Sequence, residues 1–223
     1  MIQLRRDLAD LEIRHDRALI RRFLLVGGIA ALKAHFPRAL VFGPAGEPIP
    51  RRDRAVKDGD DIVVPGIDAR FTVIGVPGHT EDHVAYVGDG ALFCDTLFAA
   101  GCGRVFSGTH EQLHASLQRL AASSPSTLVY CAHEYTEANL GFAKWVEPDN
   151  VELTCRAEEV QLARSRGEPT LPSVIALERA TNPFLRVAEP AVIAAAERWA
   201  GRPLRHGAEV FRALRTWKDR EYD

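Results

Sequence analysis

VIGVPGHTEDHVAYVGDGALFCDTLFAAGCGRVFSGT, residues 73–109, decides how this chain is read. The stretch ARFTVIGVPG (69–78) alternates and is rich in β-branched residues, which predicts a strand running into a Pro-Gly turn. HVAYV and ALFC flank Gly88-Asp89-Gly90, the kind of short turn that joins two antiparallel strands. His79 stands on the turn that closes the first of these strands, and Asp95 at the end of the last. Further on, VYCAHEYTEANLGFA (129–143) repeats the arrangement: TLVYC (127–131) reads as a buried strand, and His133 follows its end. Two histidines and an aspartate at strand ends suit a divalent cation bound by imidazole and carboxylate. Such an ion acts as a Lewis acid and generates hydroxide near neutral pH. Taken singly, each residue has an ordinary alternative. His79 and His133 fit hydrogen-bonded or packed loop histidines, and Asp95 fits a turn or cap residue before Thr96.

Working outward, LRRDLADLEIRHDRALIRRFLL (4–25) is arginine-rich and reads as an amphipathic helix without glycine or proline punctuation. The texture changes at Val26. GGIAALKAHFP predicts a short helix stopped by Pro37, ALVFG a short strand, and GEPIPRRDRAVKDGDDIVV a loop, a turn at Asp58-Gly59 and a strand. Residues 110–122 have helical spacing. From Thr136 onward the chain reads as helices, with Pro190 opening one and Gly167 and Gly201 closing two others. Strands first and helices last predict an α/β sandwich followed by a helical domain. The expected division is 1–133, with 1–25 atypical, and 134–223.

The chain has 223 residues, 46% of them hydrophobic, enough for one large domain or two small ones. A net charge of −2 gives no reason to expect a nucleic-acid partner. No apolar run reaches the roughly 18 residues a membrane span needs. FLLVGGIAAL (23–32) follows arginines as a signal sequence would, but it runs into LKAHFP without a small-residue cleavage site and reads better as a helix start. Cys94, Cys102, Cys131 and Cys155 form no C-x-x-C pair, which suits a reducing cytoplasm.

A second cluster is cationic. Arg104 follows Gly-Cys-Gly, Arg215 and Lys218 are one turn apart on the last helix, and Tyr135 is close to His133. Such groups can hold the carboxylates of an acidic ligand. For Arg215 and Lys218 alone, a solvated helix face is the simpler reading. His35, His110, His114 and His206 read as surface residues, His83 as a support for the turn, and His15 as an unsuitable ligand among arginines.

With these residues in place, the chain resembles glyoxalase II, the hydroxyacylglutathione hydrolase of the metallo-β-lactamase superfamily. The resemblance runs from about Val26 to the C-terminus and is strongest in PGHT, LFCDTLFAAGCGRVFSGT, VYCAHEYTEANLGFA, VEPDN, PTLPS and ERATNPFLR. It implies an αββα sandwich with a C-terminal helical domain that helps bind glutathione. It implies two metal ions, usually zinc and sometimes iron or manganese, bridged by a hydroxide that attacks a thioester carbonyl. By motif match, His79 serves one metal, His133 the other, and Asp95 bridges them. Arg104, Tyr135, Arg215 and Lys218 match the positions that hold glutathione. The implied protein is a cytoplasmic monomer acting on a small glutathione thioester.

Departures accompany the resemblance. The family reads Thr-His-x-His-x-Asp-His before Val-Gly-Gly, where this chain has ALIRRFLL before Val26-Gly27-Gly28. The four ligands of that motif are absent, His15 and Asp16 being the only remote substitutes, and the opening strands of the sandwich are expected to be incomplete. Residues 1–25 read as a frameshifted or mis-started sequence. The family's Phe-Cys-Gly-Asp-Thr is shortened here, with Cys94 joined directly to Asp95, which predicts that Asp95 turns to the opposite face. Asp82 replaces a glycine, and Phe106 stands where tyrosine is common. The expectation is therefore a hydroxyacylglutathione hydrolase with impaired activity, holding one metal weakly. The alternatives are a non-catalytic glutathione-binding remnant, an unstable fragment with an open sheet edge, or a persulfide dioxygenase-like protein with a single iron.

Overall fold

The computed structural model describes residues 28–64 and 69–222. The arginine-rich helix expected over the first 25 residues, with His15 and Asp16, lies outside the described residues. The chain divides into two compact units between Ala55 and Val56.

Within the first unit, helix α1 (Ile29–His35) ends just before Pro37, as its sequence predicts. Strand β1 (Phe42–Pro44) pairs with β2 (Arg54–Val56) in a two-stranded ribbon that ends where the second unit begins. Asp53 ties the unit together: its carboxylate accepts from the Val41 N–H at 2.7 Å and pairs with Lys33 at 2.6 Å.

The second unit is built on a six-stranded sheet. Its strands are β3 (Asp61–Val64), β4 (Ala69–Gly75), β5 (Val84–Gly88), β6 (Ala91–Cys94), β9 (Leu128–Cys131) and β10 (Ser173–Val174). Their spatial order is β10-β9-β6-β5-β4-β3, antiparallel throughout except for the parallel pair β6–β9. The Gly88-Asp89-Gly90 signal is realised as a two-residue hairpin. Gly88 pairs with Ala91, and Asp89 and Gly90 both take positive φ, 50° and 74°. That is the turn whose twist matches the flanking strands. Gly88 is required for a different reason: a Cβ there would sit 1.9 Å from the Arg70 carbonyl oxygen.

Pairing register places Val87, Leu92 and Val129 side by side on one face and Tyr86, Phe93 and Tyr130 on the other. The first face carries the core, together with Leu113, Leu117 and Leu120 of helix α2 (His110–Ala121). α2 starts at a capping box in which Thr109 and Gln112 exchange hydrogen bonds. On the second face, Phe93 stacks on Tyr130 at 4.9 Å and meets Phe71 edge-on at 5.7 Å. The strand TLVYC is thus half-covered rather than buried. Thr127 and Val129 are sealed, while β9, with the two-residue β10 as its outer neighbour, turns Tyr130 to the more open face.

Helices α3 (Thr136–Val146), α4 (Val151–Ser165), α5 (Ile175–Thr181), α6 (Pro190–Ala200) and α7 (Gly207–Glu221) follow as the spacing predicts. Pro190 opens α6, and Gly201 (φ 67°) and Gly167 (φ 72°) end α6 and α4 in the left-handed conformation. Phe184, Phe211 and Leu214 carry the core on into this helical region. Sequence periodicity does not reveal β10, nor the ribbon of β7 (Leu97–Phe98) and β8 (Gly101–Cys102), since two residues make no pattern. Among the described residues there are one six-stranded sheet and two two-stranded ribbons. No helix among them is long and apolar enough to cross a membrane.

Candidate metal centre

The turn after β4 is stiff. Val76 N–H donates to the His83 carbonyl at 2.7 Å, and Gly78 N–H to the Thr80 carbonyl at 2.9 Å. Gly78 has φ 133°, and a Cβ on it would lie 2.3 Å from the Leu113 backbone nitrogen, so only glycine lets the turn press against α2. Ser116 of α2 fastens it by donating to the Pro77 carbonyl at 2.7 Å. His79 is carried at the tip.

The Nδ1 of His79 lies 2.7 Å from the Arg104 carbonyl oxygen. A carbonyl can only accept, so Nδ1 carries the proton and Nε2 is left with its lone pair. That Nε2 faces Asp95 Oδ2 at 3.6 Å. Nitrogen and oxygen ligands each about 2.0–2.2 Å from a shared tetrahedral ion stand roughly 3.4 Å apart. The pair therefore has the separation and the free lone pair to hold one divalent ion, with the Arg104 carbonyl orienting the imidazole from behind.

Asp95 does not turn away from His79, contrary to the expectation from the direct Cys94–Asp95 join. It lies in the bend beyond Cys94, the last paired residue of β6, where strand alternation no longer dictates direction. Burial raises its carboxyl above the ordinary 3.8, while His79 and His133 pull it down. His133, past the end of β9, packs with Phe98 (6.1 Å) and Tyr135 (4.9 Å), whose rings also meet each other at 5.7 Å. It is close enough to act on the Asp95 charge, yet among the described residues no three His, Cys, Asp or Glu converge on one point to hold an ion. Among the described residues, His79 and Asp95 stand at the separation that two ligands of one ion would have, and no third His, Cys, Asp or Glu joins them.

His83 supports the turn through its backbone carbonyl, as expected. Its ring meets that of His79 edge-on at 5.2 Å, and its Nε2 has no hydrogen-bond partner among the described residues. Burial, reinforced by His79, lowers its pKa to about 4.

The cationic cluster is not a solvated helix face. Arg215 is 1% exposed and Lys218 5%. Arg215 donates to the Cys102 carbonyl at 3.2 Å and to Asp219 at 2.8 Å, and its guanidinium lies 5.4 Å from the Phe184 ring centroid. The Lys218 ammonium lies 5.8 Å from the Tyr222 ring centroid. Arg104 is open, and its Nε approaches Asp219 at 3.8 Å. Asp219, which sequence reasoning passed over, thus stands between two of the cations, and its i+4 spacing from Arg215 was the available signal. Tyr135 is half-exposed beside His133, and Phe106, 71% exposed, meets the His79 ring at 4.9 Å. His35 and His206 are exposed as expected. His114 is not a surface residue: it packs on Phe211 at 5.6 Å, with an Nε2 that has no partner among the described residues. His110 is likewise half-buried, edge-on to Phe211.

Comparison with known proteins gives a consistent picture. Residues 134–221 match the model of the hydroxyacylglutathione hydrolase C-terminus, and residues 4–133 that of the metallo-beta-lactamase superfamily. The hydroxyacylglutathione hydrolase of Pseudomonas fluorescens (strain SBW25) is 55% identical over 196 residues, 87% of this chain and 76% of that one. The hydroxyacylglutathione hydrolase of Alkalilimnicola ehrlichii is 54% identical over 194 residues, 86% of this chain and 75% of the relative. Among solved structures, ETHE1 from Myxococcus xanthus superposes with a TM-score of 0.52 at 25% identity, covering 83% of this chain and 60% of that one. A metallo-beta-lactamase from Staphylococcus aureus subsp. aureus COL, at 15% identity and a TM-score of 0.50, shares the fold, over 85% of this chain and 52% of its own. The sheet with its trailing helices is therefore a metallo-β-lactamase fold, and the chain belongs to the hydroxyacylglutathione hydrolase family.

Proposed function

We propose that this chain hydrolyses an S-2-hydroxyacylglutathione, S-lactoylglutathione in methylglyoxal detoxification, to glutathione and a 2-hydroxy acid, at a rate well below that of its relatives. The observation that carries the reading is the His79–Asp95 pair, 3.6 Å apart with Nε2 free and Nδ1 engaged by Arg104. A divalent ion held there, zinc or alternatively iron or manganese, would supply a hydroxide at neutral pH. The chain's own residues hold and place the reactants. His79 keeps one tautomer through its Nδ1–H bond to Arg104. Asp95 is held beside it, with His133 close enough to act on its charge. Phe106 and Tyr135, both exposed, present aromatic surface beside His79 and His133. Arg104 and the Tyr135 hydroxyl, both open to solvent, meet the carboxylates of glutathione, backed by the buried charges of Arg215 and Lys218.

The low rate follows from the missing Thr-His-x-His-x-Asp-His ligands. In this reading residues 1–133 bring the metal donors and 134–223 the glutathione contacts, and the chain works as a cytoplasmic monomer. The test is metal content by elemental analysis on chain purified without chelator, alongside hydrolysis of S-lactoylglutathione. One ion or less per chain with slow turnover is expected. Two ions with turnover typical of the family would overturn the impairment. No turnover with saturable glutathione binding would replace the enzyme by a non-catalytic glutathione-binding protein.

A further inference from the structure

Three buried side chains outside the metal donors and the glutathione contacts converge on one short ribbon. Glu178 of α5 is fully buried, at 0% exposure. Its Oε2 accepts from the Ala100 N–H at 2.8 Å and from Asn182 Nδ2 at 3.0 Å. Its Oε1 accepts from Arg156 Nη2 and from Ser173 Oγ, each at 2.5 Å. Asn182, also at 0%, donates to the carbonyls of Phe98 (3.2 Å) and Gly101 (2.9 Å). Asn139 of α3 donates to the Ala99 carbonyl at 3.0 Å. Every residue from Phe98 to Gly101, the whole turn of the β7–β8 ribbon, is thus held by a side chain from the helical region. Ala100, the residue Glu178 grips, has φ 55°, a conformation alanine adopts only when its surroundings impose it.

The candidate site lies at both ends of this ribbon. Asp95 precedes β7. Arg104, whose carbonyl accepts from His79 Nδ1, follows β8. The two ends are joined by Gly103 N–H donating to the Thr96 carbonyl at 2.9 Å. A buried ion pair such as Arg156–Glu178 adds little stability over apolar residues of the same volume, so its use here points to geometry rather than to strength.

We infer that Glu178 and Asn182 are positioning residues: they fix the β7–β8 ribbon so that the Arg104 carbonyl holds His79 Nδ1 and Asp95 stays opposite His79 Nε2, the pairing a divalent ion would need. The inference rests on the proposed hydrolase reading only for the turnover measured below.

The test compares Glu178→Gln with Glu147→Gln in the full chain. Glu147 is 4% exposed, is paired with Arg186 at 2.8 Å and touches no part of the ribbon, so it is a matched loss of a buried ion pair. The first readout is the His79 imidazole in nitrogen-15 NMR of the metal-free protein. Wild type and Glu147→Gln are expected to show a single Nδ1–H form, and Glu178→Gln a mixture of tautomers. The second is a zinc titration, with affinity falling about 10- to 100-fold in Glu178→Gln alone. The third is S-lactoylglutathione turnover, with kcat reduced and KM unchanged in Glu178→Gln. If both variants melt lower while His79 and zinc affinity stay as in wild type, the network is only structural and the inference falls. If wild type shows no turnover, the hydrolase reading fails, while the imidazole signal still decides this one. Should Glu178→Gln not fold, Asn182→Ala removes the donor to the Phe98 and Gly101 carbonyls, and an unchanged His79 signal there overturns the inference.

Discussion

Arg215→Met separates a guanidinium that holds the fold from one held in reserve for a ligand. The substitution keeps most of the apolar stem and removes the charged head. Its contacts with Asp219, Cys102 and the Phe184 ring go with it. The 2.8 Å bond to Asp219 is charge-assisted, of a kind that contributes about 1.5–3 kcal/mol. The Cys102 carbonyl loses a donor in a buried place, at a cost of about 1–3 kcal/mol. The contact with the Phe184 ring contributes about 1–2 kcal/mol when desolvated. Against this stand the desolvation of the guanidinium, no longer required, and the freedom of Asp219. That carboxylate is 34% exposed and lies 3.8 Å from Arg104, so it is not stranded when its partner leaves. The opposing contributions leave a net loss of about 2 kcal/mol. For a chain of this size each kcal/mol moves Tm by about 2–4 °C, so a fall of about 4–8 °C is expected in a thermal melt followed by circular dichroism. Arg215→Lys, which keeps the charge but cannot reach both acceptors in a fixed fork, should lose part of this. A Tm within about 1 °C of wild type for Arg215→Met would refute the reasoning. The guanidinium would then contribute nothing to the fold despite its burial.

Gly88→Ala places a Cβ against the Arg70 carbonyl, and pushing β4 and β5 apart should cost at least about 2 kcal/mol in urea denaturation. Gly103→Ala brings a Cβ to 2.8 Å from the Asp95 carbonyl oxygen and 3.0 Å from His79 Nδ1, so zinc affinity should fall about 10- to 100-fold in a zinc titration. His114 has its pKa lowered from the ordinary 6.5, first by burial and then by the nearby His206. The unfolded chain therefore takes up this proton first as pH falls. The stability contributed by neutral His114 is complete above about pH 6.5 and is lost as pH drops below it. Urea denaturation of His114→Leu should show a flatter pH dependence below pH 7 than wild type, and an unchanged slope would exclude this residue as the source.

Much of the fold was legible because its signals are local. Alternation in ARFTVIG, the Asp89-Gly90 turn and the Pro190–Gly201 bracket of α6 each act within a few residues. The site was legible in pieces for the same reason: His79, Asp95 and His133 each follow a strand. Their relative geometry was not. Asp95 faces His79 because the bend beyond Cys94 and the β7–β8 ribbon place it there. That ribbon is held by Glu178 and Asn182, some 80 residues away, through hydrogen bonds that no periodicity records.

The burial of Arg215 and Lys218 was missed for a different reason, since its signal is present in the sequence. Phe211, Leu214, Arg215 and Lys218 fall at i, i+3, i+4 and i+7, the single stripe that a helix turns toward a core. Two cations on such a stripe conflict with its apolar neighbours. Reading them as solvated resolves the conflict by hydropathy. The helix resolves it by geometry, because side chains at those spacings share one face whatever their polarity. A charged residue placed there must find partners inside. The Cys102 carbonyl, Asp219 and the ring of Phe184 serve Arg215, and the ring of Tyr222 serves Lys218. Where hydropathy and helical position disagree, position is the better guide to burial, and the disagreement itself marks a residue kept for something other than packing.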